Sequence, residues 1–187
     1  MLSISLRTRT TNALLVRFLA IAFFGVLTAL SARITIPLGF TPVPITLQVM
    51  AVLFAGLVLG ARDGALSQLL YVASIAAGLP LDANGLGAAV LFSPTAGYLI
   101  GFIPGAFVAG YLVETGFDHN RVWRFIAGVI GVAVIYLCGT SWLTLVFLKG
   151  NWALGWMLGV APFVIVDLAK AIIATAVGEV VRAWLKR

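Results

Sequence analysis

The chain has 187 residues, 62% of them hydrophobic and 10% charged, with a formal net charge of +6. A soluble domain carries about 25% charged and 45–50% apolar residues, so composition excludes a soluble enzyme or binding module and indicates a membrane protein. At about 20 residues per span, the length accommodates about six helices with short loops and no soluble domain. Residues 1–187 therefore read as one all-α transmembrane domain, a bundle of six helices.

The first span is Ala13–Ile34, with Arg7, Arg9 and Arg17 at its start. A signal peptide begins in this way, and Ala29-Leu30-Ser31 is a weak cleavage pattern. The apolar run continues to Ile34, however, and cleavage would remove a span, so the segment reads as a retained helix. Its Gly25 and Ala29 lie one turn apart. The loop that follows, Ile36 to Thr46, is apolar and holds Pro37, Pro42 and Pro44. The second and third spans, Thr46–Gly60 and Asp63–Gly78, flank the charged connection Ala61-Arg62-Asp63. Both are short for a crossing at about 1.5 Å per residue, and a re-entrant hairpin is an open alternative. Gln68 and Ser74 in the third span read as interhelical hydrogen-bonding groups.

The loop from Gly78 to Pro94 is again rich in Gly and holds Asp82, Asn84 and Ser93. Long, locally packed loops carry function more often than plain connectors do. Both loops are therefore read as lids, with simple tight turns as the plainer alternative. The fourth span, Thr95–Val113, carries Gly97, Gly101, Gly105 and Ala109 at four-residue steps, a small face that lets helices approach closely in lipid. A charged loop with the single His119 leads to the fifth span, Trp123–Leu148, where Cys138 stands alone and can form no internal disulfide. The sixth span, Pro162–Trp184, holds Asp167, Lys170, Glu179 and Arg182. The last two read as a surface pair.

The basic residues sort by side. With the amino terminus inside, cytoplasmic segments hold Arg7, Arg9, Arg17, Arg62, Arg121, Arg124, Arg182, Lys186 and Arg187. The outer side holds only Arg33 and Lys149. This positive-inside bias sets both termini in the cytoplasm and removes nucleic acid as the reason for the basic balance. Trp152 and Trp156 near the outer ends, and Trp123 and Trp184 near the inner ends, suit interfacial belts.

Asp167 and Lys170 carry the chemistry. A charge inside a span costs at least about 2.5–3.5 kcal/mol on insertion scales, which marks such residues as functional candidates. Their i, i+3 spacing puts them on one helix face, about 8–15 Å inward from the outer end. Lys170 supplies a cation for a carboxylate and Asp167 accepts from N–H groups. A small molecule with both features satisfies the pair, and a buried salt bridge that only fixes packing is the competing reading. Gln48, Asn84, Thr95, Tyr98 and Trp142 are the further binding candidates, with Phe40, Tyr98 and Trp142 as walls. No nucleophile–base set, metal-ligand cluster or phosphate loop is present, so the chain reads as a binding protein without a cofactor or ATPase activity of its own.

Four blocks in order carry a family resemblance: Pro42-Val43-Pro44-Ile45-Thr46-Leu47-Gln48; Ala76-Ala77-Gly78-Leu79-Pro80; Ser93-Pro94-Thr95-Ala96-Gly97-Tyr98-Leu99-Ile100-Gly101-Phe102; and Gly159-Val160-Ala161-Pro162-Phe163 with Asp167 and Lys170. Together they resemble the BioY family, the biotin-binding S-components of energy-coupling factor (ECF) transporters. The resemblance implies a multi-pass protein of the bacterial inner membrane, with six helices and an outer pocket capped by the outer loops. It also implies a transmembrane coupling (T) component and two cytoplasmic ABC-type ATPases as partners. Asp167, Lys170 and Asn84 would contact the polar groups of biotin, while Gln48, Thr95 and Tyr98 fall in matching motifs. The chain departs from the family pattern at Leu81-Asp82-Ala83-Asn84-Gly85-Leu86-Gly87-Ala88, where a small-residue, Gly-rich run is usual, and at Ser93 and Ala96. The small pattern with which such components dock appears only as Gly25/Ala29 and Thr28/Ala32. A solitary carrier for biotin or a related carboxylate, without ATPase partners, is the alternative.

Overall fold

The computed structural model describes residues 10–185, with side chains for residues 13–181 and residue 183. Arg7, Arg9, Lys186 and Arg187 lie outside the described residues, as do the side chains of Arg182 and Trp184. The helices are α1 (Thr10–Ala32), α2 (Gln48–Leu59), α3 (Ala61–Ala76), α4 (Ala96–Thr115), α5 (Arg121–Trp142), α6 (Trp152–Gly159) and α7 (Val164–Leu185). A π-helical stretch, Leu143–Phe147, extends α5, and a 3-10 turn, Gly87–Phe92, precedes α4.

Three helical stretches, Ala13–Ala32, Ala96–Thr115 and Arg121–Phe147, are long and apolar enough to cross a membrane. A fourth candidate is the pair α6 and α7, bent by 50° at its break. Sequence reading treats residues 149–161 as loop, whereas Asn151 caps α6 there by accepting from Leu154 N at 3.0 Å. The helices α2 and α3 are about 18 and 24 Å long, short of the roughly 30 Å hydrocarbon core. They meet at Gly60, which has φ +88° and no room for a Cβ: one would lie 2.1 Å from Glu114 Oε1. That same oxygen accepts from Ala61 N at 2.9 Å.

The glycine face of α4 packs on α5. A Cβ on Gly97 would come within 2.3 Å of Trp142 Cβ, and one on Gly105 within 2.5 Å of Ile135 Cγ1. Bundle packing, as expected, is what this face serves. The small stripe of α1 turns inward as well, which rules it out as a docking surface. Thr28, Ala29 and Ala32 are buried, and a Cβ on Gly25 would sit 3.1 Å from Ser67 O of α3. Gln68 meets α1 as expected, with Thr28 Oγ1 3.1 Å from its Oε1. Ser74 does not bond between helices and instead donates to Leu70 O of its own helix at 2.8 Å.

The loop after α1 contains a short strand pair. Residues Thr35–Ile36 (β1) and Ile45–Thr46 (β2) form a short antiparallel ribbon, pairing Thr35 with Thr46 and Ile36 with Ile45. Its far side is tied to α6 by Thr41 Oγ1, which donates to Leu158 O at 2.7 Å. At the opposite end of the bundle, Glu179 takes Arg121 and Arg124 as partners, the latter at 2.6 Å. The partner expected from sequence, Arg182, lies outside the described side chains. Arg17 pairs with Asp63 at 2.6 Å at this end.

Candidate functional site

The break between α6 and α7 puts Asp167 in the first turn of α7, facing α5. Lys170, one turn on, donates to Asp167 Oδ1 at 2.6 Å, and Tyr136 of α5 donates through its hydroxyl to Oδ2 at 2.6 Å. Asp167 and Lys170 are only 3% and 5% exposed, so each charge depends on partners rather than on water.

These groups line a cavity of about 60 Å³ between the ends of α2, α4, α5 and α7 and the two loops. Its apolar walls include Val43, Val49, Leu99, Phe102, Ile135 and Phe163. Gln48, at the start of α2, enters it with its amide donating to Tyr71 Oη at 2.7 Å, and Tyr71 in turn donates to Leu81 O at 3.2 Å. Tyr98 lines the wall and donates to Gly159 O at 2.8 Å, tying α4 to the break before α7. Thr95 lies at the rim with Oγ1 2.9 Å from Ser93 Oγ.

Of the residues singled out from sequence, Asp167, Lys170, Asn84, Gln48, Thr95 and Tyr98 all line this cavity. Trp142 does not. Its indole N–H donates to Ser93 O at 3.0 Å, so it fastens the second loop instead of walling the ligand space. Phe40 is also outside, on the ribbon loop and 63% exposed.

Sequence reading missed two polar groups of the site. Tyr136 is one, since nothing local signals a hydroxyl that meets an acid 31 residues away. Asp82 is the other. It is 1% exposed, lines the cavity and accepts from Asn84 N at 3.0 Å and Gly87 N at 2.8 Å. An acid in an otherwise apolar loop was a visible sign of it. Among the described residues no group of three or more His, Cys, Asp or Glu is arranged to hold a metal.

One cation, two carboxylates, two amides and hydroxyls thus converge on an apolar-walled space. Such a set can orient a small molecule that has an anionic end and N–H donors.

The chain matches the BioY family over residues 6–187. It is 40% identical over 171 residues to "Biotin transporter BioY" of Rhizobium etli, covering 85% of this chain and 88% of that protein. It is 43% identical over 157 residues to "Biotin transporter BioY" of Thermotoga maritima, covering 82% and 89%. Among solved structures it resembles the S-component for biotin from an ECF-type ABC transporter, with a TM-score of 0.86 at 26% identity over 94% of this chain and 95% of that one.

Proposed function

Because this chain belongs to the BioY family, we propose that it is the substrate-binding membrane component of a biotin importer and not an enzyme. The observation that carries the reading is the buried Asp167–Lys170 pair on the wall of an apolar cavity. Biotin has a valerate carboxylate, ureido N–H groups and an apolar fused ring. Lys170 takes the carboxylate; Asp167, Asp82 and Asn84 are the groups for the ureido ring, with Gln48 and Thr95 as further polar contacts. Tyr98, Phe102 and Phe163 enclose the bicycle.

Ligand pockets run to about 300–1,000 Å³, well above the 60 Å³ of this cavity. Capture therefore includes movement of the loops that roof it. Few side-chain bonds tie the roof to the helices: Arg33 to Pro80 O, Thr41 to Leu158 O, Tyr71 to Leu81 O and Trp142 to Ser93 O.

The domain is the whole chain, 1–187, with six crossings and both termini in the cytoplasm of a bacterial inner membrane. Supporting the crossing of α2 and α3 is the contact of their turn at Gly60 with Glu114 in the last turn of α4, so the pair reaches as far as a full-length helix does. The partners are a transmembrane coupling component and two ABC-type ATPases. Purified alone and reconstituted in sealed vesicles under a proton gradient, the chain should bind biotin without accumulating it. Concentrative uptake by the chain alone would establish the solitary-carrier alternative instead. Sidedness has its own check: in a Cys138→Ala background, a cysteine replacing Asn84 should react with an impermeant thiol reagent from outside, and one replacing Asn120 only from inside.

A further inference from the structure

We propose that Tyr136 is a positioning residue that acts on the ligand through Asp167, holding the carboxylate so that Lys170 keeps N–H donors free for an anionic ligand group. This rests on the biotin-capture reading. Asp167 and Lys170 sit three residues apart on α7. Left to themselves, such a pair can close on each other, with both carboxylate oxygens turned to the ammonium. In the structure Oδ1 takes Lys170 and Oδ2 takes the Tyr136 hydroxyl, each at 2.6 Å. The phenol–carboxylate distance is that of a charge-assisted bond, which runs about 2.5–2.7 Å. With one oxygen claimed by α5, the ammonium is engaged through a single oxygen and has two of its three donors left.

The tether also comes from the right place. Asp167 and Lys170 move together with α7, so only a group on another helix can fix the carboxylate relative to the cavity wall. Tyr136 lies on α5, the helix whose position is set by the glycine face of α4. Its ring has a second surface, which lines an apolar groove between α5 and the α6–α7 pair together with Val132, Leu137, Trp156 and Leu168. Ring and hydroxyl therefore do different things: the ring partitions cavity from groove, and the hydroxyl orients Asp167. A Phe at this position keeps the first and removes the second.

The test is a double-mutant cycle on the purified full chain in mild detergent, with the biotin Kd measured for wild type, Tyr136→Phe, Asp167→Ala and the double variant. Alanine is used at 167 because an asparagine would keep an oxygen able to accept from the Tyr136 hydroxyl. Tyr136→Phe should raise Kd about tenfold to hundredfold, the scale of a hydrogen bond to a charged group. In the Asp167→Ala background the same change should shift Kd by less than about twofold, the margin within which independent effects add. An equal penalty in both backgrounds would mean that Tyr136 acts by packing alone and would overturn the proposal. So would a wild-type Kd for Tyr136→Phe when Asp167→Ala is impaired. Failure of the capture reading looks different, because then neither Asp167→Ala nor Lys170→Ala alters binding. Should Tyr136→Phe not fold, 3-fluorotyrosine at position 136 enters the cycle in its place, since it strengthens the donor at almost unchanged shape. An affinity change confined to the protein with Asp167 is then expected, and one of equal size in both backgrounds overturns the proposal.

Discussion

At one end of the bundle, charged side chains pair with each other: Arg17 with Asp63, Arg124 with Asp118, and Arg121 and Arg124 with Glu179. At the other end, Arg33, Thr41, Tyr71, Tyr98 and Trp142 donate to backbone carbonyls of the loops and of the α6 segment. The first kind of contact is in part solvent-exposed, as in Arg17–Asp63, and worth about 0–1 kcal/mol where it is exposed. The second satisfies loop backbone that would otherwise be buried without partners. The loop end is therefore held mostly by neutral donors, with Arg33 and Asp82 as its charged contributors. The charges it buries, Asp82, Asp167 and Lys170, all line one cavity, and under the proposed function that separation sets a binding end apart from an anchoring end.

The sharpest break of this contrast is Lys170→Ala. Lys170 is the proposed partner of the ligand carboxylate, and losing one partner of a buried, hydrogen-bonded charge pair in a complex costs about 2–5 kcal/mol, so biotin affinity should fall by about thirtyfold or more while the protein still inserts in the membrane; equilibrium binding on purified protein reads it. Next is Gly60→Ala at the anchoring end. A positive φ for a non-glycine costs about 1–3 kcal/mol, and the methyl also meets Glu114. The melting temperature without ligand should drop by several degrees, with the biotin Kd of the folded fraction unchanged. A changed Kd would mean that the two ends are coupled.

Asp82→Asn should have a smaller effect. The amide can accept through only one oxygen, so one of the backbone donors of Asn84 and Gly87 loses its partner, at about 1–3 kcal/mol. The roof should loosen, Kd rise by about tenfold and the melting temperature without ligand fall by up to several degrees. Smallest is Glu179→Gln, which removes two ion pairs of the anchoring end. Melting should fall by no more than the equivalent of about 1 kcal/mol per pair, an effect that added salt shrinks, and binding should be unaltered.

What was legible in the sequence follows the same divide. Hydropathy and arginine placement gave a helical membrane bundle, because a span must satisfy its own backbone and each charge within it is costly. For the same reason Asp167 and Lys170 stood out. The direction of a small-residue face was not legible: Gly97–Gly105 and Gly25–Ala29 have the same spacing whether they face a neighbour or lipid, and only the packed bundle shows that both face inward. The helix α6 was hidden because its eight residues lie in a segment too short to read as a span. Trp142 was misread because an aromatic at the right depth can serve as a wall or as a donor, and the Ser93 carbonyl that decides it is 49 residues away. Tyr136 was invisible for the same reason of distance.

The seam between α4 and α5 sets a mechanical tolerance for everything built on α5. Cys138 Cβ would lie 2.9 Å from a methyl placed on Gly101, and the Ile135 side chain 2.5 Å from one placed on Gly105, where ordinary contact begins at 3.4 Å. Either substitution requires α5 or its side chains to give way by several tenths of an ångström, more at Gly105 than at Gly101. Tyr136 sits between those two contact points, and its 2.6 Å bond to Asp167, stretched by that much, would leave the range of O–H···O hydrogen bonds, about 2.5–3.0 Å. Two hydrogen atoms in the place of two methyl groups thus act as a length standard. Across related chains, the freedom to vary Gly101 and Gly105 should be as narrow as that of the cavity itself, although neither glycine lines it.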